Sequence, residues 1–169
     1  MSVHDHRQRA PRAVRLGILT VSDTRTPADD ESGALIRDLA VAAGHAVVEH
    51  RVLPDEADPV RALLRAWASD DRFEAILVCG GTGISGRDTT FEAVSAILDR
   101  RLDGFGELFR ALSFQQIGPA AMLSRAVAGI LAGRPVFSMP GSPNAVRLAM
   151  ERLILPELGH VVSEATRRT

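Results

Sequence analysis

The sequence contains no lysine: all 20 of its basic residues are arginine. That absence removes chemistry that depends on a lysine amine, including Schiff bases and the Walker lysine of P-loop ATPases. Genomic base composition accounts for it more simply than function does. Cysteine occurs once, as Cys79, so no internal disulfide can form, as expected in a reducing compartment. Its place at the end of an apolar run marks it as a small core residue. No apolar run approaches the roughly 18 residues of a membrane span. The charged start from Met1 to Arg15 also lacks the apolar stretch of a signal peptide. A cytoplasmic location without membrane association is therefore expected. A basic excess is missing as well: the formal net charge is −1, which argues against a nucleic-acid binder.

What is present has the balance of a globular protein, with 46% apolar and 24% charged residues, and its length asks for one domain. We expect a polar, frayed tail over residues 1–12, whose His4 and His6 are not read as a metal site, and a single domain over residues 13–169. No internal repeat or linker is seen.

The apolar run Leu16 to Val21, followed by Ser22-Asp23-Thr24 and Pro27, predicts a buried strand and a polar loop. Ser32 is placed to cap a helix whose apolar face is Leu35, Ile36, Leu39 and Ala43, with Gly44 as its stop. A second strand spans Ala46 to Leu53. Asp58-Pro59 then supplies a cap and a first-turn proline for a helix bearing Val60, Leu63, Leu64 and Trp67, which makes Trp67 a core residue. Ala75 to Cys79 is short and continuously apolar, as in a central parallel strand. A glycine-rich loop follows it. Thr89 or Thr90 caps the next helix, with Phe91, Val94, Ile97 and Leu98 on its stripe. Beyond Gly104 the pattern predicts a short helix over Phe105–Leu112, strands over Arg125–Leu131 and Pro135–Met139 forming an antiparallel hairpin, and a helix opened by Asn144 and interrupted by Pro156. The fold class is α/β, with three layers: an open, mostly parallel sheet, helices on both faces, and a C-terminal hairpin carrying an antiparallel strand.

In such a sheet, ligands bind beyond the carboxyl ends of the strands. Three segments fall there. The first is Gly80-Gly81-Thr82-Gly83 with Gly86-Arg87-Asp88, where missing Cβ atoms let backbone N–H groups approach an anion and the next helix adds its dipole. The second is Pro140 to Asn144. The third is Asp55, at the end of what reads as the neighbouring strand. A lone glycine turn is a weak signal. A loop that also carries Thr82, Arg87 and Asp88 is a stronger one, since hydroxyl, cation and carboxylate occur together. The spacing is not that of a dinucleotide-binding fingerprint, which would in any case follow the first strand. No histidine accompanies a nucleophile elbow, so a Ser-His-Asp triad is not indicated, and His50 and His160 read as surface or strand-end residues.

Together these segments resemble the MoaB/MogA family of molybdenum-cofactor biosynthesis proteins from about Val14 to His160. The resemblance rests on Leu19 to Arg25, Asp30 with Ser32-Gly33, Ala43-Gly44-His45, Pro54-Asp55, Gly80 to Gly83 with Arg87-Asp88, and Pro140 to Ala145, in that order. Gly104 to Arg110, Ile117-Gly118 and Ala121 to Ala126 are more similar to the MoaB branch. One departure stands out: family members usually carry proline after Arg-Asp-x-Thr, and Phe91 stands there instead. Packing of Phe91 would then replace proline in fixing how the helix begins.

The resemblance implies an enzyme that adenylylates molybdopterin with magnesium and ATP, releasing pyrophosphate. The alternative is a non-catalytic molybdopterin-binding or interaction module of the same fold, and a third reading is a nucleotide-binding regulator. A terminal phosphate is already an anionic nucleophile, so such a reaction needs alignment and charge neutralisation rather than a strong base. By the resemblance, Asp55 and Asp88 match the family's essential carboxylates, as catalytic residues and magnesium ligands. Gly80, Gly81, Thr82 and Gly83 contact phosphate. Ser124 lies on the pterin side, and Gly141, Ser142 and Asn144 hold the anionic end of that ligand. Arg87 is open to a phosphate contact or a salt bridge, and Asp23 to capping the first loop. A homotrimer or homohexamer, and contact with a molybdenum-insertion protein, are implied as well; molybdenum and tungsten pathways are both left open.

Overall fold

The computed structural model describes residue 11 and residues 13–167; the tail assigned to residues 1–12 lies, apart from Pro11, outside them. Six strands form one sheet: β1 (Arg15–Val21), β2 (Ala46–Leu53), β3 (Ala75–Cys79), β4 (Arg100–Arg101), β5 (Val127–Leu131) and β6 (Arg134–Met139), in the order β2-β1-β3-β6-β5-β4. β1 pairs in parallel with both β2 and β3, and β3 pairs in parallel with β6. β5 runs antiparallel to β6 and to β4. The expected hairpin is therefore present. Its two-residue turn, Ala132-Gly133, has φ angles of 48° and 78°, the left-handed pair that matches the twist of the flanking strands.

The helices are α1 (Glu31–Ala42), α2 (Ala57–Ala68), α3 (Thr90–Ser95), α4 (Asp103–Ile117), α5 (Pro143–Ala149) and α6 (Leu155–Thr166); a 3₁₀ segment spans Gly118–Leu123 and a π segment Met150–Ile154. Strand alternation divides the core. Leu16, Ile18, Leu77, Cys79, Phe137 and Met139 meet α1, α4, α5 and α6 on one face. Leu19, Val21, Ile76, Val78 and Val136 meet α2 and α3 on the other. Trp67 belongs to this second face, stacked on Phe73 with ring centroids 5.1 Å apart. Gly17 leaves the room for it: a Cβ there would lie 2.7 Å from the indole. Among the described residues, no helix is long and apolar enough to cross a membrane.

Four local expectations are corrected. Asp30, not Ser32, caps α1, its carboxylate accepting from the Gly33 N–H at 2.9 Å. α2 begins at Ala57 after Glu56, which makes no side-chain cap, so Pro59 sits inside the first turn, where an N–H has no helical partner to lose. Asp58 pairs with Arg61 instead. α4 outruns its predicted end at Leu112, because nothing stops it before Gly118, whose φ is 61°. Pro156 does not interrupt the last helix. It falls in the first turn of α6 directly after the π segment, whose altered hydrogen-bond pattern accommodates its missing N–H.

Candidate functional site

The chain leaves β1 for β2 on one side, then returns to β3 on the other. The sheet thus has a topological switch point between β1 and β3, where loops diverge and leave a crevice beyond the strand ends. A cavity of about 160 Å³ occupies this point, lined among others by Thr20 near the end of β1, Arg25 in the loop after it, Asp30 and Glu31 at the start of α1, Gly80 after β3, and Gly141 after β6. A second hollow of about 350 Å³ lies along the outer side of the glycine loop, between Ile84, Ser85, Asp88, Thr89, Glu92 and Arg125.

The glycine loop is shaped by close approach. Gly80 and Gly81 have φ angles of 98° and 61°. A Cβ on Gly80 would collide with the Val21 carbonyl, and one on Gly81 with Thr90 Oγ1 and Asp55 Oδ2. The Gly80 N–H donates to the Met139 carbonyl at 3.1 Å, so Gly80 serves by shape and not, as expected, by a free amide. Among the described residues, the N–H groups of Gly81, Thr82, Gly83 and Ile84 have no hydrogen-bond partner. Thr82 is buried, and Ile84 is exposed at the loop tip. Four consecutive N–H groups at the loop are thus left free to donate.

Both predicted aspartates lie at this loop. β2 and β3 are not neighbours, because β1 separates them, yet Asp55 reaches across. Its Oδ1 accepts from the Thr89 N–H at 3.0 Å, the Thr89 hydroxyl at 2.9 Å and the Thr90 hydroxyl at 3.2 Å. The cap of α3 is therefore supplied by Asp55, and neither threonine caps through its own side chain. Asp88 Oδ2 accepts from the Ser85 N–H at 3.0 Å. Asp23 does brace this region: one oxygen accepts from the Asp55 N–H at 3.0 Å, and the other pairs with Arg87 at 2.9 Å. Arg87 thus makes a salt bridge, an exposed one of small energetic value.

The Pro140 turn packs on the loop. A Cβ on Gly141 would sit 2.9 Å from the Gly80 Cα, so two bare α-carbons meet there. The Gly141 carbonyl accepts from the Ser32 hydroxyl at 2.7 Å, which ties the start of α1 to the turn. Ser142 caps α5 by accepting from the Ala145 N–H at 3.3 Å, and Asn144 is exposed beside it. Ser124 is half-buried at the end of the 3₁₀ segment, one residue before Arg125, which binds the glycine loop.

Sequence reasoning missed two groups. His50 is not a strand-end surface residue: its Nε2 lies 2.8 Å from the buried Asp30 carboxylate and 3.3 Å from the Thr20 hydroxyl. Local spacing carries no signal for this pair, which the packing of α1 against β2 creates. Thr20 also contacts Cys79 Sγ at 3.5 Å, and burial pushes that thiol up to about 12. Arg125 was the other omission. It lies over the Phe91 ring at 5.0 Å, which gives the residue at the usual proline position a packing role.

Fold and site together define a doubly wound α/β domain with a crevice at its switch point and a glycine loop with free backbone donors beside it. Comparison with known proteins narrows the class. Residues 17–160 match the family described as "Probable molybdopterin binding domain". The chain is 56% identical over 165 residues to Molybdenum cofactor biosynthesis protein B of Halalkalibacterium halodurans, covering 97% of each. A crystal structure of Molybdenum cofactor biosynthesis protein B superposes with a TM-score of 0.91 at 48% identity, covering 95% of this chain and all of that one. The tungsten cofactor synthesizing protein MoaB from Pyrococcus furiosus gives 0.81 at 34% identity, covering 94% and 100%. The chain belongs to the MoaB/MogA family of molybdenum-cofactor biosynthesis proteins.

Proposed function

We propose that this chain transfers the adenylyl group of ATP to the terminal phosphate of molybdopterin, giving adenylyl-molybdopterin and pyrophosphate. The observation that carries the reading is the row of unpaired amides from Gly81 to Ile84 flanked by the Asp55 and Asp88 carboxylates. The amides hold and orient phosphate oxygens, with alignment the main demand of a reaction between two phosphates. Thr82 and Gly83 contribute backbone here. Ser124 is assigned to the pterin side, and Gly141, Ser142 and Asn144 to the ligand's anionic end.

Magnesium suits this donor set. Among the described residues, no three His, Cys, Asp or Glu side chains gather to hold a metal ion alone. Magnesium is usually held by one or two carboxylates with substrate phosphates and water completing its shell. Asp55 Oδ2 and Asp88 Oδ1 are the oxygens that accept no hydrogen bond among the described residues, so they are the ones offered to it. When bound, the ion neutralises phosphate charge.

Incubation of the protein with molybdopterin, ATP and magnesium tests the proposal. Adenylylated product and pyrophosphate are expected, and both should vanish in Asp55→Asn and Asp88→Asn. Pterin binding without product would instead establish a binding module. One observation favours that second reading: Asp55 already holds the start of α3, a task that would keep a carboxylate there without turnover. A homotrimer or hexamer, action in the cytoplasm and contact with a molybdenum-insertion protein complete the proposal; light scattering reads the first.

A further inference from the structure

Arg125 precedes β5, outside the segments that carry the phosphate reading, and it gathers the glycine loop from behind. Its Nε donates to the Thr82 carbonyl at 3.0 Å, and its Nη2 to the carbonyls of Gly83 and, at 3.3 Å, Asp88. Nη1 pairs with the Glu92 carboxylate, and the guanidinium plane rests over Phe91. A planar, permanently charged group with five donors is suited to holding several carbonyls at once.

In a trans peptide the carbonyl and the following N–H point in opposite directions. Turning the Thr82, Gly83 and Asp88 carbonyls toward Arg125 therefore turns the N–H groups of Gly83, Ile84 and Thr89 away from it. The Thr89 N–H shows the outcome, since it donates to Asp55 Oδ1. Those of Gly83 and Ile84 are two of the unpaired donors. Glu92 offsets the guanidinium charge on its outer side, so Arg125 acts on an anion through the peptides it orients.

We infer that Arg125 is the positioning residue that makes the glycine loop an anion receptor: it fixes three carbonyls behind the loop so that the amides face the ligand. Phe91 supports it from below. The inference rests on the reading of the loop as a phosphate site.

The test uses Arg125→Ala and Arg125→Lys in the full chain, with inorganic pyrophosphate as probe. Lysine keeps the charge but cannot hold three carbonyls in one plane. Calorimetric affinity for pyrophosphate is expected to fall at least about tenfold in both variants, with cooperative unfolding retained in Arg125→Lys. In the free protein, the amide resonances of Gly83 and Ile84 should shift and exchange faster, while that of Gly80, held by Met139, stays. Unchanged amide resonances in the Lys variant would overturn the inference, as would wild-type pyrophosphate affinity in it. If the wild-type protein itself binds no pyrophosphate, the phosphate reading fails, and the amide resonances still decide whether Arg125 orients the loop.

Discussion

Asp55 and Thr89 meet across an intervening strand, with Oδ1 of the first accepting both the backbone N–H and the hydroxyl of the second at 3.0 and 2.9 Å. One carboxylate oxygen thus fixes the start of α3 and leaves its twin toward Gly81. The structural duty of Asp55 and the chemical one proposed for it are therefore separable by substitution. Asp55→Ala is expected to lower unfolding stability by about 2 kcal/mol, the scale of hydrogen bonds to a charged group. Asp55→Asn, which keeps an acceptor, should lose much less while abolishing adenylylation. Urea titrations of the two variants against wild type make the comparison.

Gly81→Ala places a methyl group against Asp55 and Thr90 in a backbone with φ of 61°. Strain of that kind costs about 1–3 kcal/mol. Loss of stability by thermal melting, together with weakened phosphate binding, is expected. Gly86→Ala, with open space around its Cβ, should fall within about 0.5 kcal/mol of wild type.

The buried Asp30 carboxylate caps α1 and pairs with His50. Removing the carboxylate in Asp30→Ala loses both contacts, so a cost of about 3 kcal/mol is expected. Asp30→Asn retains a cap acceptor and should recover part of it. Guanidinium titrations monitored by circular dichroism would show whether the two variants differ in that order.

Two groups set opposite pH limits. Burial raises the Cys79 thiol from 9.0 to about 12, so the folded state resists ionisation that the unfolded chain accepts. Its share of stability is complete below pH 9 and is lost as pH rises between 9 and about 12. Cys79→Ala should flatten that limb, and native Cys79 should react with a disulfide reagent only on unfolding. Burial lowers the His45 pKa below 6.5, and its Nδ1 accepts from the Val14 N–H. Stability from His45 is present above pH 6.5 and falls as pH drops through its folded value; His45→Asn should weaken that dependence.

Much of this arrangement was legible in the chain. Short apolar runs located β1 and β3, because a strand covered on both faces must be apolar throughout, while Pro54 closed the mixed edge strand β2. The glycines of Gly80 to Gly83 announced a tightly packed loop, since a Cβ at Gly80 or Gly81 would collide with Val21, Asp55 or Thr90. Helix limits were less legible at Asp30, Glu56 and Pro156, where the cap or turn chosen depends on what the neighbouring elements supply. Residue types alone thus determined the α/β class, the glycine loop and the two aspartates as candidates. Tertiary structure decided which donors remain free: Met139 takes the Gly80 amide, and Arg125 takes the carbonyls behind the loop. It also decided that Asp55 crosses β1 to α3 and that His50 meets Asp30. Strand order and long-range hydrogen bonds create those pairings, and neither is encoded by local spacing.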